Sequence, residues 1–252
     1  YGSAARFVAH GFQGDDADTR SLKGIKINVL MGRHAGWLTA ASTLGKSTEE
    51  DGPHLVYVPE KVFNLESFVK EVKEVYESLG RCLVAVSEGV HDEKGKYFLQ
   101  TYAENAGSGL AGKKDSHGNI QLSGSGALGD TLANIISENI EDARVRADTF
   151  GYLQRSFLAD ISEVDADEAE RVGQHAVVVS KTENSGSIIL KRQLSDKYHC
   201  EVGLVELEKV AKNTKVMPKD FLDENKSYVT NEFFEYAMPL TGGIEPKTQI
   251  FV

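Results

Sequence analysis

The side chains in this sequence best suited to handling an anion are arginines placed where a strand gives way to a helix. The run Met31-Gly32-Arg33-His34-Ala35-Gly36-Trp37 follows Ile25–Leu30, where apolar residues alternate as in a strand. It precedes the Ala/Leu-rich stretch 38–44, which reads as a helix stopping at Gly45. At such a junction the free N–H groups and the positive end of the helix dipole attract anions, and a glycine lets a ligand approach the backbone. Arginine adds a planar fork that fits phosphate oxygens. A second junction, Gly151-Tyr152-Leu153-Gln154-Arg155, follows the strand-like run 143–150, in which Arg144 and Arg146 alternate with Ala143, Val145 and Ala147. Together Arg33, Arg146 and Arg155 predict a multi-arginine phosphate pocket. Taken singly, each reads as a surface salt-bridge residue.

Other chemically capable groups lead less far. Asp15-Asp16 has the form of a metal-binding pair, but an acidic loop is more simply a solvated one. Gly45-Lys46-Ser47 resembles the end of a Walker A loop, yet Ala40 stands where its first glycine belongs. Gly107-Ser108-Gly109 and Ser123-Gly124-Ser125-Gly126 are not followed by Gly-Lys-Ser/Thr either. The two cysteines, Cys82 and Cys200, and the seven histidines show no metal-ligand spacing. Cys82 reads as a buried thiol, and His175 as an exposed or internally satisfied histidine. No metal site is expected within these residues.

The elements that position the arginines follow from periodicity. Strands at 25–30, 54–58 and 81–86 alternate with helices at 38–44 and 65–76. Asn64 caps the second helix and Gly80 closes it. Such alternation predicts an α/β fold: a parallel sheet with helices on both faces, a three-layer sandwich. Ligands of such sheets bind at the carboxyl ends of the strands, where Met31-Gly32-Arg33, Glu60 and Glu88 fall.

The remainder reads as supporting structure. Residues 1–12 form a helix and 13–24 a polar connection. Residues 91–126 form a long loop or flap, 127–140 an amphipathic helix, and 151–161 a helix leaving the second junction. Asp165 caps a helix over 166–180, with Ala169, Val172, Ala176 and Val179 as its core stripe. A strand pair at 187–190 and 200–204 precedes a short helix at 205–216. Nothing in 185–252 has the chemistry of a site.

Bulk properties restrict the partners. The 252 residues allow one large or two modest domains. A formal charge of −10 argues against nucleic acid or an anionic membrane as partner, so any anion site must be local. No apolar run approaches the roughly 18 residues of a membrane helix. Two cysteines without a disulfide pattern fit a reducing cytoplasm.

Three segments, Met31 to Trp37, Val86-Ser87-Glu88-Gly89 and Tyr152-Leu153-Gln154-Arg155, together resemble the 6-phosphofructokinase family, most closely its pyrophosphate-dependent branch. The opening Gly2-Ser3-Ala4-Ala5-Arg6, the loop from Asp115 to Gly124 and Lys215–Phe221 are similar as well, so the resemblance covers nearly the whole chain. It implies a Rossmann-like phosphofructokinase fold, incomplete at the N-terminus. Residues 1–150 would be a sugar-phosphate-binding domain, and 151–252 a helical return and C-terminal region packing on a donor-binding domain.

The resemblance also implies roles. Met31 and Gly32 would offer backbone contacts to fructose 6-phosphate. Arg33 would lie between the sugar and the transferring phosphoryl, stabilising charge in flight. Glu88 would accept bonds from sugar hydroxyls, Tyr152 and Arg155 would hold the 6-phosphate, and Arg146 would reach a neighbouring subunit's site. The partners implied are fructose 6-phosphate, pyrophosphate with Mg²⁺, and further copies of the chain in a homodimer or homotetramer.

Some positions depart from the family pattern. Val29 stands where a Glu is common, and Gly24 where many relatives carry a phosphate-binding arginine that Lys23 or Lys26 would have to replace. His117 and Asn119 alter the loop motif. Two family segments are not in the sequence: Gly-Gly-Asp-Asp-Thr, which cradles donor and magnesium, and Lys-Thr-Ile-Asp-Asn-Asp, whose first aspartate is the general base. The expectation is therefore a C-terminal portion carrying the sugar-phosphate site, with no turnover alone. An ATP-dependent enzyme and a non-catalytic regulatory sugar-phosphate-binding subunit are the alternatives.

Overall fold

Four parallel strands carry the structure: β1 (Gly24–Leu30), β2 (Leu55–Tyr57), β3 (Arg81–Ser87) and β4 (Val145–Thr149), side by side in the order β2-β3-β1-β4. This computed structural model describes residues 1–105, 126–193 and 197–245. The readings placed on 107–109, 115–124 and most of the long loop lie outside those residues. β1 and β3 are buried at every position, as near-continuous apolar runs require when helices cover both faces of a sheet.

One face is covered by α3 (Leu65–Leu79) and α5 (Ala127–Asn139), around Ile25, Ile27, Val84, Phe68, Leu132 and Ile136. Asn64 Oδ1 accepts the Ser67 N–H at 2.9 Å, and Gly80 closes α3 in the left-handed conformation, as predicted. α4 (Phe98–Asn105) lies at the edge of this layer. The other face is covered by α1 (Gly2–Leu22), the short α2 (Trp37–Ala41) and the chain's last third. Met217, Phe221, Val229, Phe233 and Ala237 enter the same core as Val8, Phe12 and Leu30. Three layers result.

Several boundaries differ from the sequence reading. α1 does not stop at residue 12 but runs to Leu22, because the buried stripe Ala5, Val8, Ala9, Phe12 continues in polar form as Asp16 and Thr19. Asp15 and Asp16 are accordingly not a solvated loop. Asp16 is fully buried, pairs with Arg81 and with Arg20 (3.0 Å), and accepts the Gly52 N–H at 2.8 Å. Asp15 holds Lys26 Nζ and Asn28 Nδ2, each at 2.6 Å.

Beyond β4 the chain makes two 3-10 turns, Gly151–Arg155 and Leu158–Asp160, where a helix was expected. α6 (Glu163–Val179) is capped by Ser162, whose Oγ accepts the Asp165 N–H at 3.3 Å. Asp165 instead accepts from Ser3 and the Tyr1 amino group. The stripe Ala169–Val179 is not core: Glu168 is the buried residue of α6. β5 (Ser187–Arg192) and β6 (Cys200–Val205) form the expected strand pair, and it is antiparallel. The segment 205–216 holds only the 3-10 turn Leu207–Lys209, and α7 (Asn231–Ala237) follows. Among the described residues no helix is long and apolar enough to cross a membrane.

Candidate functional site

Parallel strands bring their carboxyl ends to one edge, where the turns after β1 and β3 interlock. Gly32 has φ +148°, and an added Cβ would meet the Ala35 carbonyl oxygen, so the turn demands glycine. Ser87 Oγ donates to the Gly32 carbonyl at 2.7 Å, and the Glu88 N–H donates to the Leu30 carbonyl at 2.9 Å. Gly89 has no room for a Cβ because the Arg33 carbonyl lies against it. The Gly32 N–H is 3.4 Å from Glu88 Oε1, a long bond that leaves most of the carboxylate's capacity unused. Glu88 is 8% exposed.

Tyr97 joins this group, and the sequence reading missed it. The chain leaves β3, turns about Asp92, whose Oδ1 accepts the Lys94 and Lys96 N–H groups at 2.9 Å, and returns so that Tyr97 bridges His91. Burial raises the Tyr97 pKa, Arg33 lowers it and Glu88 raises it, so both charges reach the phenol. The available signal was the turn sequence Asp92-Glu93-Lys94-Gly95, which folds the chain back beside Glu88.

The second junction is tied to the first. The Phe150 N–H donates to the Val29 carbonyl at 3.0 Å as β4 ends. In the following 3-10 turn the Arg155 guanidinium lies 4.9 Å from the Tyr152 ring centroid, a cation–π pair, and Tyr152 is 53% exposed. Gln154 points the opposite way and is buried. Its Nε2 donates to the Gly151 carbonyl at 2.8 Å, and its Oε1 accepts the Met31 N–H at 3.2 Å. Of the two N–H groups expected to face a ligand, Met31's is therefore engaged by Gln154 and Gly32's points at Glu88.

The structure brings Met31, Gly32, Arg33, Glu88, Tyr152 and Arg155 to one edge. Arg146 is not among them. It pairs in register with Lys26 near the start of β4, roughly 13 Å of strand before Phe150. Its Nη1 is 3.2 Å from Asp18 Oδ2, while Nε and Nη2 are buried without a partner among the described residues. Lys26 is committed to Asp15 and Asp148 (2.6 and 2.9 Å), which leaves it unsuited to the phosphate-binding part expected of it from the family resemblance. Gly24 itself has φ +108° with the Arg144 carbonyl against it, so a side chain there would be strained.

The tail also contributes, although no site chemistry was read in it. Glu60, at the end of β2, accepts the Gly36 N–H (3.1 Å) and the Met217 N–H (3.0 Å). Trp37 Nε1 donates to the Lys215 carbonyl at 2.7 Å, and the Trp37 ring packs on Tyr1, Phe221 and Tyr236. The segment 215–217 therefore buttresses the turn carrying Arg33. No group of three or more His, Cys, Asp or Glu able to hold a metal occurs among the described residues. A cavity of about 1060 Å³ lies away from the carboxyl edge, between α3 and residues 225–234.

Comparison with known proteins bears on the family and the fold. The chain is 46% identical to a pyrophosphate–fructose 6-phosphate 1-phosphotransferase of Rhodospirillum rubrum, over 95% of this chain and 58% of that protein. It is 31% identical to the protein of the same name from Xanthomonas campestris, over 98% of this chain and 57% of that one. A sulfofructose kinase of Alkalicoccus urumqiensis is 30% identical over 95% of this chain and 59% of its own. The crystal structure of a pyrophosphate-dependent phosphofructokinase from Marinobacter aquaeolei superposes with TM-score 0.78 at 26% identity, covering 99% of this chain and 57% of that one. The chain thus spans somewhat under three fifths of the length of each relative. A family model described as Phosphofructokinase matches residues 2–180, and the chain belongs to that family.

Proposed function

We propose that this chain carries the fructose 6-phosphate site of a pyrophosphate-dependent 6-phosphofructokinase, which transfers phosphoryl from pyrophosphate to the sugar 1-hydroxyl. The observation that carries the reading is uncompensated charge at the carboxyl edge. Arg33 and Arg155 have no carboxylate partner among the described residues, whereas Arg20, Arg81 and Arg146 do. In this reading Tyr152 and Arg155 hold the 6-phosphate. Glu88 exchanges its long Gly32 bond for sugar hydroxyls, and Arg33 neutralises charge on the moving phosphoryl.

In this reading Mg²⁺, the donor and the general base are held by the family's Gly-Gly-Asp-Asp-Thr and Lys-Thr-Ile-Asp-Asn-Asp segments, which this sequence does not contain. The working enzyme in this reading is a cytoplasmic homodimer or homotetramer, with Arg146 turned toward a neighbouring copy. Pyrophosphate is favoured over ATP as donor because the relatives at 46%, 32% and 31% identity are all named for pyrophosphate.

Calorimetric titration tests the sugar-phosphate assignment. Fructose 6-phosphate should bind saturably and at least about ten-fold more tightly than fructose, a difference of roughly 1.4 kcal/mol. Equal affinity for the two sugars refutes a phosphate-recognising site. Tighter binding of sulfofructose than of fructose 6-phosphate shifts the substrate to the sulfonate.

A further inference from the structure

One side chain joins the two halves of the candidate site. Gln154 is 1% exposed and lies among the largest fully buried side chains of the structure. Its amide is divided between the two junctions: Nε2 donates to the Gly151 carbonyl at 2.8 Å, and Oε1 accepts the Met31 N–H at 3.2 Å. Tyr152 and Arg155 flank it on the turn closed by the first bond. Gly32 and Arg33 continue directly from the residue held by the second. A buried amide with both functions satisfied has one low-energy orientation, because rotating it would set donor against donor. The amide therefore fixes how far apart the two junctions stand.

We propose that Gln154 is a positioning residue for the sugar-phosphate site, setting the separation between the Tyr152–Arg155 turn and the Met31–Arg33 turn. A ligand that spans both turns is bound through this spacing, and a ligand that occupies one turn is indifferent to it. This inference rests on the fructose 6-phosphate reading. A hexose phosphate is the spanning ligand, with its phosphate at Arg155 and its ring toward Arg33 and Glu88. Inorganic phosphate is the ligand of one turn.

Gln154→Met keeps the length and apolar volume of the side chain and removes both amide bonds. Gln154→Asn keeps the amide and shortens it by one methylene, so that it reaches one turn only. Each variant is titrated with fructose 6-phosphate and, by competition, with inorganic phosphate. The expected result is at least about ten-fold weaker fructose 6-phosphate binding by Gln154→Met, with inorganic phosphate within about two-fold of the parent. Gln154→Asn should show the same split, and it decides the matter if Gln154→Met fails to fold. Parallel loss of both ligands makes Gln154 merely structural and overturns the proposal, as does unchanged fructose 6-phosphate affinity. A parent protein that binds no fructose 6-phosphate defeats the functional reading itself, an outcome distinct from either.

Discussion

The two ends of the same parallel sheet treat charge in opposite ways. At the amino end, Asp16 and Asp51 neutralise Arg20 and Arg81 beside a neutral His54. Arg81 pairs with Asp16, Arg20 lies 2.7 Å from Asp51, and the His54 ring meets the Arg81 guanidinium. At the carboxyl end, Arg33, Glu88 and Arg155 stand without ion-pair partners among the described residues. Burying a charge without a counter-charge is costly, and of these three groups Glu88 is buried, Arg33 half-buried and Arg155 exposed. The amino end is finished by folding. The carboxyl end keeps charge open, as the proposed sugar-phosphate site needs.

The largest expected effect breaks the amino-end network. Asp16→Ala strands the Arg81 guanidinium, itself 6% exposed, and leaves the Gly52 N–H without its acceptor. Urea unfolding should show a loss of about 3–5 kcal/mol. At the carboxyl end, Arg155→Ala should leave stability within about 0.5 kcal/mol, because no ion pair is lost, while weakening fructose 6-phosphate binding at least about ten-fold. Equal destabilisation by the two substitutions would erase the distinction between the ends.

A subtler effect concerns pH. His54 Nδ1 accepts the Leu83 N–H at 2.8 Å, leaving Nε2–H to donate to the Glu50 carbonyl at 3.2 Å, and this arrangement requires the neutral ring. Burial first, then Arg81 and Lys46, lower its pKa from the ordinary 6.5 to about 4. Between those values the unfolded chain holds the extra proton and the folded chain does not, so this contribution to stability is present above pH 6.5 and falls away toward pH 4. His54→Asn should flatten that part of the stability–pH profile in urea titrations. The smallest effect is expected on the α3 surface. The Lys70–Glu74 pair is 3.8 Å apart and exposed, and Glu74→Ala should change stability by less than about 0.5 kcal/mol.

The sequence announces what repeats and what punctuates. The β-branched runs, the Asn64 cap and the Gly80 stop make the parallel strands and most of one helical face legible, and the strand ends locate Arg33, Glu88, Tyr152 and Arg155. Long-range polar pairing is not announced. Asp16 continues a buried stripe in a residue type that periodicity counts as exposed, so α1 reads too short. Ser162 rather than Asp165 caps α6 because Asp165 is drawn away by Ser3 and Tyr1, 162 residues and more distant in sequence. Gln154 looks like filler between Tyr152 and Arg155 until its two bonds are seen.

The tail's attachment through Glu60 and Trp37 has a spectroscopic consequence. Trp37 is the chain's single tryptophan, placed four residues after Arg33, with its indole N–H held by the Lys215 carbonyl and the Lys215 ammonium 5.7 Å from its ring. Ligand binding that shifts the Arg33 turn moves this fluorophore relative to the Lys215 carbonyl acceptor and the Lys215 cation. Emission excited at the indole band therefore reports on the junction of the Arg33 turn and the tail, with no label and no second tryptophan.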